Sequence, residues 1–301
     1  MSFRLLDLFR KRPGRNDLGS YDELEDLTTG QLLALMRHEA HRIEKAIYND
    51  ILQEKHPVYL TKWERVGKIQ VLLTVRGVPA TEPTVAWAKE IHDHFEDLEA
   101  SFIRPRSEPA PPSEPEAIEA FLDFLKARRS VRVWAPVQPR AEELEALALQ
   151  LIDAARWAPT SGNRQPWRFK ILIEPGRKEL LRGLKEEHCI SAPLLIFVGM
   201  DTRLYGALGD SERSIHIDGG AAAMQMVLAG HRGGYGVCWN HFADDLVLSR
   251  PSNVDAYEKF AAELGIPPAI TPLAIIAVGR PAFVPPTPAR TNLARLLIPD
   301  P

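Results

Sequence analysis

The stretch Arg128-Arg-Ser-Val-Arg-Val-Trp134 decides how the rest of this chain is read. It places Arg128, Arg129, Ser130 and Arg132 within five residues. On an extended chain Arg128, Ser130 and Arg132 point one way, with Val131 and Val133 on the other side. Two guanidiniums and a hydroxyl then converge on one point, which suits the oxygens of a phosphate monoester. If the segment were helical, Arg128 and Arg132 would still share a face. The alternative is a basic surface turn with no ligand.

A short amphipathic helix precedes the stretch, with Ile118, Phe121, Leu122 and Leu125 on one face. Pro136 and Pro139 come after it, and the spacing then predicts a helix over 141–157 that buries Leu144, Leu147, Ala148, Leu151 and Ala155. A polar turn, Pro159-Thr-Ser-Gly-Asn163, leads through Gln165-Pro-Trp167 into a strand over 168–173. Its backbone donors and hydroxyls suit a ring edge bearing carbonyls and nitrogens. Taken alone it is a helix-to-strand loop. Beyond it the pattern predicts a helix over 178–187 and a strand over 193–200 buried on both faces. A Gly/Ala/Met-rich central helix is expected over 217–230. Further strands are expected over 235–239 and 273–278, with a helix over 254–264 between them, closed by Gly265. No internal repeat is visible.

Upstream, residues 17–103 read as helical. Leu32, Leu33, Met36, Ala40, Ile43, Ile47 and Ile51 recur at helical spacing. Trp63, Val66, Ile69, Leu72 and Leu73 do the same up to Gly77, and Val85, Trp87, Ala88, Ile91, Phe95 and Leu98 form a third face. Three such helices are too few to hide their apolar faces comfortably alone, so they should pack together or on the C-terminal part of the chain. The polar face of the first carries Arg37, His38, His41, Arg42, Glu44 and Lys45. Its His-Glu-Ala-His run is one residue short of the zinc-protease spacing. A solvated or ion-paired face is one reading; a cover over a binding site is the other. Residues 104–116, Arg-Pro-Arg-Ser-Glu-Pro-Ala-Pro-Pro-Ser-Glu-Pro-Glu, read as an extended linker. The expected organisation is a helical region over 1–103, a linker over 104–116 and a second domain over 117–301.

The chain has 301 residues, 45% hydrophobic and 26% charged, with a net charge of -3, values of a soluble globular protein. That balance argues against a nucleic-acid partner. No apolar run is long enough to span a membrane, so no stable insertion is expected. The basic-apolar start, Met1 to Arg12 (Met-Ser-Phe-Arg-Leu-Leu-Asp-Leu-Phe-Arg-Lys-Arg), reads as a frayed terminus or a weak interfacial anchor. Cys189 and Cys238 make no disulfide framework, and a cytoplasmic location is the default. No Gly-rich Rossmann or Walker signature occurs.

The arginine cluster, the helix after it and Ala155-Arg-Trp-Ala-Pro-Thr-Ser-Gly-Asn-Arg-Gln-Pro-Trp-Arg-Phe169 together resemble the opening of the nitroreductase family. Asp218-Gly-Gly-Ala-Ala-Ala-Met-Gln225 is similar to that family's central helix, and Gly234-Tyr-Gly-Val-Cys-Trp239 to its next strand. Leu264-Gly-Ile-Pro267 and Ala277-Val-Gly-Arg-Pro281 resemble its ending. The Arg37-to-Lys45 run is similar to a His-x-x-Glu-Lys segment of some long relatives.

The resemblance covers about residues 117–297. It implies an α+β, three-layer α/β/α fold with a mixed, mostly antiparallel sheet, and a homodimer with flavin mononucleotide (FMN) at the subunit interface. It also implies a phosphate and ribityl site at Arg128, Arg129, Ser130 and Arg132. Pro159, Thr160, Ser161, Asn163 and Gln165 would reach the flavin bound mainly by the other subunit. Cys238, Trp239 and Asn240 would lie near the ring, and Arg290 would contact phosphate. Pro288 stands where relatives often carry a lysine, and Met226 where they often carry asparagine.

The function implied is ping-pong hydride transfer from NAD(P)H through FMN to a small acceptor such as a nitroaromatic or a quinone. The alternatives are a dedicated biosynthetic flavoenzyme acting on one metabolite, or a flavin-binding protein without turnover whose helices bind a partner. No catalytic side chain is expected beyond the cofactor site. Among the remaining candidates, His231 and His241 flank the ring-side strand, and His241 is a conceivable proton donor. Cys189 and Cys238 are expected to be packing residues.

Overall fold

The computed structural model describes residues 24–49, 56–95, 114–205, 211–242 and 251–298. The first helices are α1 (Thr29–Tyr48), α2 (His56–Val75) and α3 (Pro83–Asp93). The chain start, Ile51, Leu98 and residues 104–113 of the expected linker lie outside the described residues. Thr28 opens α1 with a capping box: its hydroxyl accepts from Gln31 N–H, while the Gln31 side chain accepts from Thr28 N–H. Gly77 takes φ +76° just after α2, a conformation glycine adopts without a Cβ penalty.

The three helices share a core of their own. It contains Leu32, Met36, Ala40, Ile43 and Ile47 of α1, Val66, Ile69 and Leu73 of α2, and Val85, Ala88 and Ile91 of α3. The apolar spacing read from the sequence is therefore the packing face. The polar side of α1 is divided: Arg42 and Lys45 are exposed and His41 pairs with Glu44 (3.2 Å), while the rest turns inward. Glu39 is fully buried between Lys62 (3.1 Å) and Arg65 (2.8 Å) of α2, and His38 is 7% exposed.

The remainder forms α4 (Pro115–Ala127), α5 (Ala141–Ala155), β1 (Trp167–Leu172), α6 (Pro175–Glu179) and α7 (Glu187–Ile190). After these come β2 (Leu194–Asp201), α8 (Ser211–Arg232), β3 (Gly236–His241), α9 (Pro251–Glu263) and β4 (Ile270–Gly279). The sheet order is β1-β2-β4-β3, and all three ladders are antiparallel. The parallel pairing in the mixed sheet is a bridge from Ser130 to Val237.

Alternation along the strands divides two cores. Leu194, Ile196, Val198, Met200, Ala274, Ile276 and Val278 pack with α5 and α8 on one face. Leu195, Phe197, Ile275, Ala277 and Cys238 pack with Cys189, Ile190, Phe260 and Leu264 on the other. That is a helix/sheet/helix sandwich, with β2 buried along its whole length, as its continuous apolar run implies.

Two expectations need correction. The helix over 178–187 is instead two short helices, α6 and α7, with Gly183 at φ +87° between them. Lys178 turns inward, its Nζ donating to Ala192 O at 2.7 Å, so the stretch folds around a buried ammonium rather than along a helical face. Pro115 and Glu116, the last two residues of the expected linker, form the first turn of α4, where proline's missing N–H costs nothing.

Candidate flavin site

Arg128 to Trp134 is extended. Val131 N–H donates to Val237 O (3.1 Å), Ala135 N–H to Arg280 O (2.9 Å), and Ala282 N–H to Val133 O (3.0 Å). These long-range bonds settle the choice between helix and extended chain. Val131 is buried against Gly236, where an added Cβ would stand 2.7 Å from the valine side chain. Val133 is 49% exposed.

The guanidiniums of Arg128 and Arg132 have no hydrogen-bond or ion-pair partner among the described residues. Both lie within electrostatic reach of Cys238: burial pushes that thiol up, and Arg132 and Arg128 pull it back down against Glu186. Arg129 folds back on the carbonyls of Lys126 and Arg128 and touches the Thr287 hydroxyl, which brings the C-terminal tail to the cluster. Its Nε is buried without a partner. Arg290 is exposed and donates only to Ala289 O (3.0 Å) among the described residues.

The second stretch forms a tight turn. Ser161–Asn163 is one turn of 3-10 helix, and Gly162, Asn163 and Gln165 take φ +62°, +52° and +53°. Asparagine tolerates that region; for glutamine it must be held. Thr160 Oγ1 accepts from Gln165 N–H at 3.3 Å, and Gln165 Nε2 donates to Asn163 Oδ1 at 3.0 Å. Pro159 is exposed beside them. Asp218 of α8 anchors the turn, accepting Ser161 N–H on both oxygens (3.1 Å each) and the Tyr205 hydroxyl (2.9 Å). Burial raises the Asp218 pKa, and those bonds with Arg164 oppose the rise.

From the other side α1 grips the same turn. Arg37 donates to Asn163 O (3.2 Å), Arg164 O (2.9 Å) and Thr84 Oγ1 of α3 (2.8 Å). Arg164 donates to Ser161 O (2.7 Å), with His38 Nε2 3.5 Å from its other nitrogen.

Strand alternation separates the three residues expected near a ring. Trp239 faces α8, near Gly220, and its Nε1 is buried without a partner. Cys238 and Asn240 face the opposite side, where Asn240 Oδ1 meets His188 Nε2 at 3.0 Å and Asn240 Nδ2 donates to Ile275 O at 3.3 Å. Cys189 lies in the same core, its thiol pushed by burial up to about 12. His231 is occupied with Phe124 of α4, while His241 is exposed and sits edge-on to Trp239.

The arginine segment and the polar turn are anchored at two different points along α8. Asp218, about a third of the way along the helix, holds the turn, and Gly230, near its C-terminal end, packs on Val237, the partner of Ser130. Twelve helical residues put about 18 Å between them. The sequence reading named Arg37 and His38 only as part of a possible cover over a binding site, and missed Arg164, Tyr205 and Asp218 as site residues. Of those three only Asp218 left a local signal: a carboxylate beside the small, apolar run Gly219–Met224 needs a buried partner. Among the described residues no group of three or more His, Cys, Asp or Glu side chains could hold a metal, and no helix is long and apolar enough to cross a membrane.

Comparison with known proteins agrees with the motifs. A provisionally named NADH dehydrogenase/NAD(P)H nitroreductase of Archaeoglobus fulgidus is 28% identical over 169 residues, 54% of this chain and 87% of that protein. One of the same name from Methanothermobacter thermautotrophicus is 28% identical over 171 residues, 55% of this chain and 80% of that protein. A solved structure of a provisionally assigned nitroreductase from Desulfovibrio desulfuricans, in complex with FMN, is 26% identical. It covers 63% of this chain and 99% of that one with a TM-score of 0.48. The model of the Nitroreductase family matches residues 125–189 and 175–280, together just over half of the chain. With α/β/α layers, sheet and motif order in agreement over that span, the chain belongs to the nitroreductase family and is an oxidoreductase.

Proposed function

We propose that the chain binds FMN and passes hydride from NAD(P)H to a small organic acceptor, with the cofactor shared between two copies. The observation that carries this reading is the pinned segment Arg128–Arg132, whose guanidiniums Arg128 and Arg132 have no protein partner among the described residues while Ser130 is fixed beside them by β3. The donor set fits the cofactor. Arg129 Nε and Trp239 Nε1 are buried donors without acceptors, and a phosphate and a ring carbonyl are acceptors. FMN supplies the redox chemistry when bound, accepting and returning hydride.

The chain's own residues bind and orient. Arg128, Ser130 and Arg132 would hold the phosphate, with Arg129 and the tail around Thr287 and Arg290 beside them. Thr160 and Ser161 would present hydroxyls and Asn163 and Gln165 amides to a ring edge, with Pro159 at the turn's start, while the N–H groups of Ser161, Asn163 and Gln165 hold the turn itself together. Trp239 would lie on the α8 side of the sheet and Cys238 and Asn240 on the other, so the ring-side contacts come from one face at a time.

Two copies serve this reading because the anchor points of the phosphate segment and of the polar turn lie about 18 Å apart along α8. A surface suits the pairing. Ile217 (69% exposed) and Met224 flank the half-buried Gly220 and Ala221 on α8, and Ile118, Phe121 and Leu122 are exposed on α4, whose Phe124 stacks on His231 at the C-terminal end of α8. Small residues between two apolar ones let helices approach closely, and contiguous exposed apolar surface marks an interface.

Residues 1–103 act in this reading as a helical unit and 117–301 as the flavin domain, in a cytoplasmic protein. The grip of α1 on the polar turn favours an enzyme dedicated to one metabolite over an open-site generalist.

The test is direct. The purified protein should be yellow and should bleach anaerobically with NADH or NADPH. Arg128→Ala with Arg132→Ala should lose FMN while the circular dichroism spectrum stays unchanged. Unaltered FMN affinity in that double variant would move the phosphate site elsewhere, and a colourless protein that refuses added FMN would end the reading.

A further inference from the structure

Among the described residues the helical unit meets the flavin domain chiefly at the polar turn 160–165, with the 202–205 turn and Arg168 beside it. Arg37 reaches out of α1 and donates to two consecutive carbonyls there, Asn163 O and Arg164 O, while its third bond goes to Thr84 at the start of α3. Three nearby residues, Gly162, Asn163 and Gln165, are left-handed, and such backbone persists only where neighbours over-determine it. His38, one residue on, closes over Gly162. A Cβ built there would come 2.1 Å from His38 Nδ1, so the imidazole lies directly on the glycine. Arg164 completes the bracket, donating to Ser161 O, while Asp218 holds Ser161 N–H from the opposite side. The turn is thus clamped between α8 of the sandwich and α1 of the helical unit, and Arg37 joins α1, α3 and the turn.

We infer that Arg37 is a positioning residue for the flavin-facing turn, and that the helical unit serves as a brace that holds this turn in its one productive shape rather than as a separate binding module. The functional half of the inference rests on the FMN reading above. The structural half stands on the contacts alone. Arg37 touches no cofactor atom in this scheme. It acts through the backbone of Asn163 and Arg164, whose direction sets where the Asn163 and Gln165 side chains and the local N–H groups point. Lysine can keep the charge but not the fork that spans two carbonyls and a hydroxyl.

The experiment compares wild type, Arg37→Ala and Arg37→Lys as full-length protein by amide hydrogen exchange and by FMN titration. The brace predicts at least tenfold faster exchange in peptides covering 160–165 of Arg37→Ala, with exchange in β2 and β4 unchanged. It also predicts roughly tenfold weaker FMN binding and a shifted visible flavin band, with Arg37→Lys in between. Unchanged exchange in the turn would overturn the brace. Faster exchange with unaltered FMN affinity and spectrum would overturn the positioning role. Uniformly faster exchange through β2 and β4 would reduce Arg37 to a general stability residue and overturn the inference as well. A wild-type protein that takes up no FMN sinks the parent reading and the functional half with it, while the exchange comparison still decides the brace.

Discussion

At the scale of single residues, the contact between His38 and Gly162 carries two predictions. A methyl at 162 meets both a left-handed φ of +62° and a site 2.1 Å from His38 Nδ1 and 2.8 Å from Arg164 Nη1. The backbone alone costs about 1–2 kcal/mol for a non-glycine residue, and overpacking adds a similar amount. Gly162→Ala should therefore lower unfolding free energy by about 2–4 kcal/mol in urea melts at neutral pH. His38 itself is neutral in the folded state. Burial holds its pKa down to about 4, helped by Arg164, Arg42 and Lys62 and opposed by Glu39. A histidine in the unfolded chain titrates near 6.5. Between those values the unfolded state binds the extra proton, so stability is lost as pH falls from about 6.5 towards 4. The loss from this group should be on the order of 2 kcal/mol between pH 7 and pH 5. His38→Gln should flatten that part of the stability–pH curve. An unchanged slope in that variant would show that His38 is protonated, or open to solvent, in the folded protein.

At the scale of elements, the arginine segment depends on a residue that touches no ligand. Gly236 opens β3 beneath Val131, and an added Cβ would stand 2.7 Å from the valine. Gly236→Ala should lift the segment off β3, at a cost of about 1–3 kcal/mol of overpacking. FMN affinity should fall roughly tenfold although every phosphate donor remains, a result that titration of the purified variant checks directly. This dependence also marks where the sequence stops being readable. The faces of α1, α2, α3, α5 and α8 follow from helical spacing because each buries one stripe or nearly all of its surface, and β2 follows from an unbroken apolar run. Short elements do not yield in this way. Arg128–Trp134 admits helix and strand alike, and what makes it extended is pairing with Val237 and Arg280, more than a hundred residues away. The stretch 178–187 has a helical pattern, yet Gly183 and the inward Lys178 break it. The grip of Arg37 on the turn joins residues 126 and 127 apart in sequence, which no local periodicity contains. Residue types near the site were legible; the bracket that orients them was not.

At the scale of the whole molecule, the proposed site draws on two anchor points about 18 Å apart along α8, and in the two-copy reading cofactor binding is a property of an assembly. The turn is tied to Asp218 and the arginine segment to the Gly230–Val237 contact, about 18 Å apart on one straight element. In the two-copy reading, one chain presents to a given FMN either its phosphate donors or its polar turn. A two-fold pairing in which α8 runs antiparallel to its copy would bring the other half from the second chain. The exposed stripe Ile217, Gly220, Ala221 and Met224 lies on that helix and contains none of the residues assigned to the cofactor. A charge in the stripe should therefore separate assembly from chemistry. Ile217→Arg places a guanidinium at a position 69% exposed in the monomer, so the isolated fold should tolerate it and its melting temperature at low protein concentration should barely change. In the pair the same group would be desolvated without a partner, which opposes association. Sedimentation should show a monomer, and FMN affinity should drop by about tenfold or more in the same protein. Adding back wild-type chain in excess should restore part of the flavin binding through mixed pairs. A monomeric Ile217→Arg protein with full FMN affinity would mean that a single chain completes the site, and the separation along α8 would then have to be bridged by movement within one copy.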